Sequence, residues 1–394
     1  MSDDAANGAG DAIIVGGGLA GCAAGLGLAR RGHRAMLLEA EQGAARKTCG
    51  EFLSARAVLW LEQAGLLARV RQRGAIPIPE WSLATARREL VRSLPSPGLA
   101  LSRAVLDPLL REVCREEGVV VREGVRVASV EREDEGWKLH MVHDEIREEL
   151  RARIVVAAAG RGARIPGLAS TAARPRAQKA RYVAMKAHTR PRPSARQAAR
   201  VALYALRGAY AGVIPTDSGS LNVCFLARSQ DFSRGNDAAS FLEDEARVHP
   251  YWAKAWSAMD FEGARWTAVS TMDFEKRAPV QEGVMHAGDA AAMVSPFWGE
   301  GMAMALESGG TAAECAHRLI RGEREEDVLK EYRARWLERY SLRLAAGETL
   351  QRIFLAPRAV ECAAHLARTF PILLDWIVKW GEPAAPKLAP LGRD

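Results

Sequence analysis

A glycine-rich run near the start of the chain has the spacing of a phosphate-binding turn. Residues 16–21 read Gly-Gly-Gly-Leu-Ala-Gly and follow a short apolar segment. Between a buried strand and a helix, the first glycine permits the tight turn, the third admits a pyrophosphate, and the last allows close packing. Free N–H groups and the helix dipole then face the phosphates. A glycine-rich turn without a ligand is the alternative interpretation. The residues predicted to bind the dinucleotide here are Gly16, Gly18, Leu19, Ala20 and Gly21.

An acidic residue stands where a ribose would lie. Glu39 ends a second predicted strand, Arg34–Glu39, about 20 residues after the glycine run. A carboxylate at this point accepts hydrogen bonds from both ribose hydroxyls and repels a 2′-phosphate. The nucleotide expected here is therefore FAD or NAD rather than NADP.

A second motif decides between FAD and NAD. Gly-Asp-Ala-Ala at 288–291 is followed by a proline and then by Gly-Glu-Gly-Met at 299–302. With both motifs in this order, the sequence resembles FAD-dependent oxidoreductases of the aromatic-hydroxylase and geranylgeranyl-reductase superfamily. The resemblance implies that Asp289 binds the ribityl or pyrophosphate part of FAD. It also implies that a helix start faces the pyrimidine edge of the flavin, where its dipole stabilises the anionic reduced form. The residues implied at that edge are Pro296, Gly299, Gly301 and Met302.

Three further segments extend the resemblance. Arg103 and Asp107 fit the Arg-x-x-x-Asp helix start of the superfamily, whose arginine lies along the cofactor; a solvated helix charge is the alternative for Arg103. Residues 125–130 would supply backbone contacts to the adenine. Further residues that we assign to the cofactor site are Lys47, Val127 and Gly160.

The segment Cys-Gly-Glu at 49–51 resembles the reductase branch of the superfamily, where it runs beside the isoalloxazine. The resemblance makes Cys49 and Glu51 the catalytic candidates. A plain buried thiol is the alternative for Cys49.

Two positions depart from the hydroxylase pattern. Ala159 stands where hydroxylases usually have the aspartate of an Asp-Gly pair that contributes to the use of NAD(P)H, and Ala292 stands where they have histidine. NAD(P)H remains the expected electron donor. No stretch predicts a separate domain to hold it.

Short, partly alternating runs separated by Pro, Gly and Asp begin near residue 180, and they predict an antiparallel sheet. This sheet would form the floor of a substrate pocket, although core packing is the alternative for each candidate lining residue. The candidates are Tyr182, Lys186, Tyr204, Tyr210, Asn222 and Phe225.

The fold class predicted is α/β. A Rossmann-like FAD-binding domain, discontinuous in sequence, carries an inserted antiparallel-sheet substrate domain and a C-terminal helical segment. The boundaries predicted are 11–75, 101–175 and 275–325 for the FAD-binding domain, 76–100 and 180–272 for the substrate domain, 326–381 for the helical region, and 1–10 and 382–394 for flexible tails.

The resemblance implies three functions. The first is a monooxygenase that hydroxylates a phenolic or polyketide-like molecule through a flavin C4a-hydroperoxide, because several segments resemble flavoproteins that tailor type III polyketides. The second is a reductase or dehydrogenase that acts on a carbon–carbon double bond. The third is a flavin-binding protein without turnover, which Ala159 keeps open.

Composition excludes several other classes. The net charge is +7, but 55 basic residues are scattered among 48 acidic ones, which argues against nucleic-acid binding. The histidines and six separate cysteines show no metal-ligand spacing, so no metal is expected.

We expect a cytoplasmic monomer or homodimer. Residues 363–380 are apolar; they predict a packed helix, or alternatively an interfacial helix in peripheral contact with a membrane.

Overall fold

A computed structural model describes residues 9–44, 47–161, 165–168, 182–193, 198–232, 237–272 and 278–369, and all statements below concern these residues. Side chains of residues 9, 270–272 and 367–369 are not described. Residues 1–8 and 370–394 hold most of both predicted tails and the end of the apolar C-terminal segment, so these predictions lie outside the described residues.

The described part begins with alternating strands and helices, continues mostly as strands and ends with three consecutive helices. The strands are β1 (Ala9–Val15), β2 (Ala35–Glu39), β3 (Phe52–Leu53), β4 (Ile76–Ala84), β5 (Glu89–Ala100), β6 (Val120–Glu123), β7 (Arg126–Glu133), β8 (Gly136–His143), β9 (Ile146–Ala157), β10 (Tyr182–Pro191), β11 (Arg200–Leu206), β12 (Ala209–Pro215), β13 (Leu221–Arg228), β14 (Met259–Asp260), β15 (Thr267–Met272), β16 (Val280–Gln281) and β17 (Val284–His286). The helices are α1 (Leu19–Ala29), α2 (Ala55–Gln63), α3 (Leu67–Gln72), α4 (Arg103–Glu116), α5 (Ser229–Phe232), α6 (Ala238–Ala246), α7 (Pro250–Ser257), α8 (Gly301–Ile320), α9 (Glu325–Phe354) and α10 (Pro357–Thr369).

The first sheet has a parallel centre in the order β17–β9–β1–β2–β6. Its central strand β1 is apolar on both faces, because Ile13 and Ile14 are fully buried in two different hydrophobic clusters. Strands β7 and β8 extend the sheet antiparallel from β9. Since the carboxyl ends of parallel strands meet at one edge, the loops after β1, β2, β9 and β17 all lie at that edge.

Helices α1, α4 and α8 pack on one face of this sheet around a large apolar cluster. Helices α2 and α3 are separate, because the chain turns between them at Gly65 with a φ of +72°. The run Ile76–Pro79 contains two prolines and is the first half of β4. Sheet pairing with β5 outweighs the two prolines there.

The second sheet has the order β14–β10–β13–β12–β11–β4–β5–β3, with β15 on β10. Its pairs are antiparallel except for β4 and β11, which run parallel. Strand β4 pairs with β11, so β4 and β5 form one sheet with strands that lie more than 80 residues later in the chain. Helices α6 and α7 pack against one face. The predicted α/β fold class is confirmed, including the second sheet and the C-terminal helices.

No helix of the described part combines the length and the apolarity needed to cross a bilayer. Residues 12–29 comprise the end of strand β1, a turn and helix α1.

Candidate functional site

A cavity of about 1520 Å³ runs from the carboxyl edge of the first sheet to the second sheet and α10. Both sequence motifs, separated by more than half of the chain, open into it. Gly21 is the one predicted cofactor residue that does not line the cavity. The predicted residues that line it are Gly16, Gly18, Leu19, Ala20, Glu39, Lys47, Cys49, Glu51, Arg103, Val127, Gly160, Asp289, Pro296, Gly299, Gly301 and Met302.

The glycine turn has a geometry that side chains would destroy at two positions. Gly16 has a φ of +109°, and a Cβ there would lie 2.4 Å from the Ala158 carbonyl oxygen. A Cβ on Gly21 would lie 1.8 Å from the Gly16 carbonyl oxygen, so Gly21 serves packing rather than ligand contact. Gly18 is the N-cap residue of α1 and has no side chain that could accept a hydrogen bond from the first turn. The N–H groups of that turn are therefore open to the cavity.

Two cations lie beside this turn. Asp107 accepts from Arg103 Nη2 at 2.8 Å and from Lys47 Nζ at 3.1 Å. Burial would raise the pKa of Asp107, but the charges of Arg103 and Lys47 outweigh it and hold the pKa below its usual value. Both cations also lie close to Gly18, the nearest neighbours of a Cβ built there. One aspartate therefore fixes two positive groups where a pyrophosphate would lie.

Glu39 lies at the end of β2 and is almost fully buried. Its Oε2 accepts from the Gly17 N–H at 2.7 Å and its Oε1 from the Glu41 N–H at 3.0 Å. The carboxylate thus braces the glycine turn while facing the cavity, and each oxygen has a further lone pair for a ribose hydroxyl.

The second motif forms a 3₁₀ turn at Gly288–Ala290, held by a 2.8 Å bond from the Gly288 N–H to Ser308 Oγ. Burial raises the pKa of Asp289, and no hydrogen bond from the described residues reaches its carboxylate. A half-buried carboxylate without a donor fits the hydroxyl groups of a bound ribityl chain. The turn, the cation pair, Glu39 and Asp289 together fit FAD, which supplies two-electron redox chemistry when bound.

Asp289→Ala is expected to weaken FAD binding by about 1–3 kcal/mol, because a ligand hydroxyl would lose a charge-assisted acceptor. Fluorescence titration of the FAD-free protein measures this change. Asp237→Ala is the control, since Asp237 caps the remote helix α6 through Ser240. Equal FAD affinity in wild type and Asp289→Ala would remove Asp289 from the site.

Glu51 is fully buried at a φ of +59°, a strained conformation for a residue with a side chain. Its carboxylate accepts from Lys186 Nζ at 2.5 Å, His188 Nε2 at 2.7 Å and the Arg103 N–H at 2.9 Å. Burial would raise the pKa of Glu51, but its hydrogen bonds to His188 and Lys186 hold the pKa below its usual value. These donors occupy the carboxylate, so we interpret Glu51 as a positioning residue and not as the catalytic residue expected from sequence.

Cys49 lines the cavity close to Glu51. Its carbonyl oxygen accepts from Asn222 Nδ2 at 2.9 Å, and its sulfur accepts from the Glu51 N–H at 3.4 Å. The loop from Lys47 to Glu51 is therefore fixed from both sides, and it presents the thiol to the cavity wall.

The expected substrate residues divide between the two faces of the second sheet. Of the six, Tyr210 lines the cavity. Tyr204 and Phe225 do not line it, because both pair with Ala211 and so share the opposite face, where they pack against α6 and α7. Lys186 is bound to Glu51, Asn222 to Cys49, and Tyr182 packs in an apolar cluster.

The half of the cavity beyond the flavin motifs is walled mainly by apolar side chains that sequence reasoning missed. They come from β4, β5, β11, β12 and β15, from the Pro296 turn and the segment before it, and from α9 and α10. The principal ones are Trp81, Leu83, Leu90, Leu94, Val201, Leu203, Ile214, Val269, Met293, Phe297, Leu350, Ile353, Phe354, Val360 and Leu366. Alternation along β4 and β5 was the one available signal, since helix faces meet the cavity only after folding.

A buried ionic network behind the second motif was also missed. Arg56 on α2 donates to Glu307 Oε1 at 3.0 Å and to Glu300 Oε2 at 3.2 Å. Arg339 and Tyr340 on α9 donate to Glu307 Oε2 at 3.0 and 3.2 Å. Burial raises the pKa of Glu300 to about 7, although Arg56 opposes the rise. The network joins α2, α8 and α9 directly behind the residues at the start of α8.

Comparison with known proteins places this geometry in context. The family model for the FAD binding domain matches residues 10–341. Menaquinone reductase of Mycolicibacterium smegmatis is 25% identical over 94% of this chain and 90% of its own. Digeranylgeranylglycerophospholipid reductase 1 of Methanopyrus kandleri is 29% identical over 94% of this chain and 99% of its own. Rifampicin monooxygenase of Streptomyces venezuelae is 29% identical over 38% of this chain and 32% of its own.

Solved structures share the fold. The flavin-dependent brominase Bmp2 superposes with a TM-score of 0.76 at 18% identity, over 97% of this chain and 96% of its own. A geranylgeranyl bacteriochlorophyll reductase-like protein of Thermoplasma acidophilum has a TM-score of 0.71 at 19% identity, over 89% of this chain and 88% of its own.

Proposed function

Because this chain belongs to the FAD binding domain family and is a FAD-dependent oxidoreductase, we propose that it hydroxylates a lipophilic phenolic small molecule, a class that includes phenolic polyketides. The net reaction consumes the substrate, O₂, NAD(P)H and a proton, and it yields the hydroxylated product, water and NAD(P)⁺. We place this reaction in the cytoplasm. The oligomeric state proposed is a monomer or homodimer.

The observation that carries the proposal is the apolar half of the cavity. It is continuous with the FAD cleft, and its walls come from the second sheet and α10. A ligand in this half would exchange water for apolar side chains, which favours a lipophilic body. Exclusion of water from this half also protects oxygen chemistry at a flavin from side reactions.

The residues of this chain have separable tasks in the proposed reaction. Lys47 and Arg103, both fixed by Asp107, neutralise the pyrophosphate. Glu51 holds the loop that carries Cys49 against Asn222 on the second sheet. The apolar walls orient the substrate and exclude water. None of these tasks requires a metal.

A reductase that saturates a carbon–carbon double bond is the second candidate. Two observations favour it. The two reductases named above each align over 94% of this chain, whereas rifampicin monooxygenase aligns over 38%. The cavity wall also carries Glu300, whose pKa of about 7 allows it to hold a proton near neutral pH.

Isotope labelling separates the two reactions. The FAD-loaded enzyme is incubated with NADH or NADPH and ¹⁸O₂, and either 4-hexylphenol or a polyprenyl quinone is added. Hydroxylation predicts a product that carries one ¹⁸O atom and no conversion under argon. A quinone product that stays two hydrogens heavier after its ring has been reoxidised to the quinone would show saturation of a carbon–carbon double bond, and it would replace hydroxylation with the reductase. Wild-type protein without FAD is the control and should convert neither probe.

A further inference from the structure

Two carboxylates of the buried ionic network share one cation unequally. Arg56 directs two nitrogens, Nε and Nη2, at Glu307, whereas Glu300 accepts one bond of 3.2 Å from Arg56 Nη1. Glu307 also accepts hydrogen bonds from Arg339 and Tyr340. The charge of Glu307 is therefore well compensated, and the charge of Glu300 is compensated less.

Glu300 also belongs to the wall of the cavity, although its side chain is only 9% exposed. Burial raises its pKa to about 7. The charge of Glu307 adds to this rise in pKa, while the Arg56 charge and the Ser54 hydroxyl oppose it. A further negative charge in the cavity would therefore favour protonation of Glu300 near neutral pH.

A second helix start lies in the wall of the cavity, at Gly301 and Met302 of α8. Free N–H groups at a helix start stabilise negative charge. Since α1 and the two cations beside Gly18 serve the pyrophosphate, the start of α8 is suited to the flavin ring, which gains negative charge when it is reduced. Glu300 is the N-cap residue of α8, so its carboxylate and the reduced ring would bring two negative charges close together.

We propose that Glu300 binds a proton when the bound FAD is reduced and releases it when the FAD is reoxidised. In the balanced step the ring gains two electrons and one proton, and the Glu300 carboxylate binds a second proton from solvent. This uptake removes one of the two negative charges and leaves Arg56 paired with Glu307. The proposal rests on FAD binding at this site, and it holds for hydroxylation and for double-bond reduction alike.

The number of protons bound per two electrons tests this proposal. The midpoint potential of the FAD-loaded enzyme is measured by dye-mediated titration with dithionite between pH 6 and pH 9, and its slope against pH gives that number. Wild type should bind about one proton at pH 6, where Glu300 is already protonated, and should approach two protons near pH 8. Glu300→Gln should bind one proton at every pH, because an amide does not titrate in this range.

Glu314→Gln is the matched control and should behave as wild type. Glu314 lies on the same helix as Glu300, but it pairs with Arg335 and does not line the cavity. The near-ultraviolet absorbance of the reduced flavin differs between its anionic and neutral forms, so it shows whether the second proton lies on the ring instead.

Three results would overturn the proposal: one proton at every pH in wild type, a second proton on the ring, or two protons in Glu300→Gln. The first two concern wild type alone, so they decide the matter even if Glu300→Gln does not fold. The titration contains no substrate. Proton uptake by Glu300 combined with absent hydroxylation would therefore refute the proposed reaction alone.

Discussion

Gly18→Val is expected to yield a folded protein that no longer retains FAD. Gly18 faces the cavity at the start of α1, and the nearest groups to a Cβ there are Lys47 Nζ at 3.3 Å and Arg103 Nη2 at 3.7 Å. The branched side chain of valine would occupy the space between the N–H groups of α1 and these two cations. The protein without ligand has room for it, whereas a bound pyrophosphate does not. Absorbance at 450 nm and circular dichroism of the purified variant measure both properties.

Two further variants show that the loss is specific. Gly18→Ala adds a single carbon against the flexible end of Lys47, so it should reduce FAD affinity less than valine. Gly21→Val should prevent folding, since its Cβ would overlap the Gly16 carbonyl oxygen. A yellow Gly18→Val protein with one FAD per chain would show that the pyrophosphate lies elsewhere.

Arg56→Met is expected to lower the free energy of unfolding by about 3–5 kcal/mol, because it leaves two buried carboxylates without their main cation. Arg56, Glu300 and Glu307 are each less than 10% exposed, and Arg339 alone would remain to neutralise Glu307. Chemical unfolding of the protein without FAD measures the change. Arg69→Met is the control: Arg69 pairs with Glu112 and Glu116 at the surface, and its loss should have an effect below about 1 kcal/mol.

The destabilisation should depend on pH. The pKa of Glu300 is already raised to about 7 by burial, and Arg56 lowers it, so removal of Arg56 raises it further. A carboxyl with a raised folded-state pKa favours folding at low pH and loses that contribution as pH rises through this value. Arg56→Met should therefore be closer to wild type at pH 6 than at pH 8. Equal effects of Arg56→Met and Arg69→Met would contradict a buried network.

The two motifs that line the cavity could be recognised in the sequence because their signals are local. The turn at residues 16–21 and the turn at 288–291 each carry their chemistry within a few residues, and the strand before each turn is recognisable from its apolar run. The meeting of both turns follows from a rule of parallel sheets: strands β1, β9 and β17 end at one edge. No contact had to be known in advance.

The apolar half of the cavity was not predictable to the same degree. Neighbouring residues on a strand face opposite sides of the sheet. Tyr210 therefore faces the cavity and Ala211 faces away from it, and the sequence does not show which of the two faces is which. Nothing in the sequence around Tyr204 or Phe225 shows that α6 and α7 cover their face. Phe354 and Val360 line the cavity although they lie more than 130 residues after β12 along the chain, so their position depends on tertiary packing.

Glu51 illustrates a third case. Its place beside Cys49 made it a catalytic candidate, but its donors lie on β10 and at the start of α4. The same carboxylate that could move a proton in isolation is fixed by Lys186, His188 and the Arg103 N–H. Whether a charged residue takes part in a reaction or holds other residues in place depends on its hydrogen-bond partners. The sequence does not give these partners.

Titration of the FAD-free protein with FAD tests whether the two motifs form one cofactor site. If both turns hold one flavin dinucleotide, flavin fluorescence should be quenched to an end point of one FAD per chain, and Gly18→Val and Asp289→Ala should each weaken binding. A wild-type protein that binds no FAD, or one whose affinity changes in neither variant, would contradict the shared site.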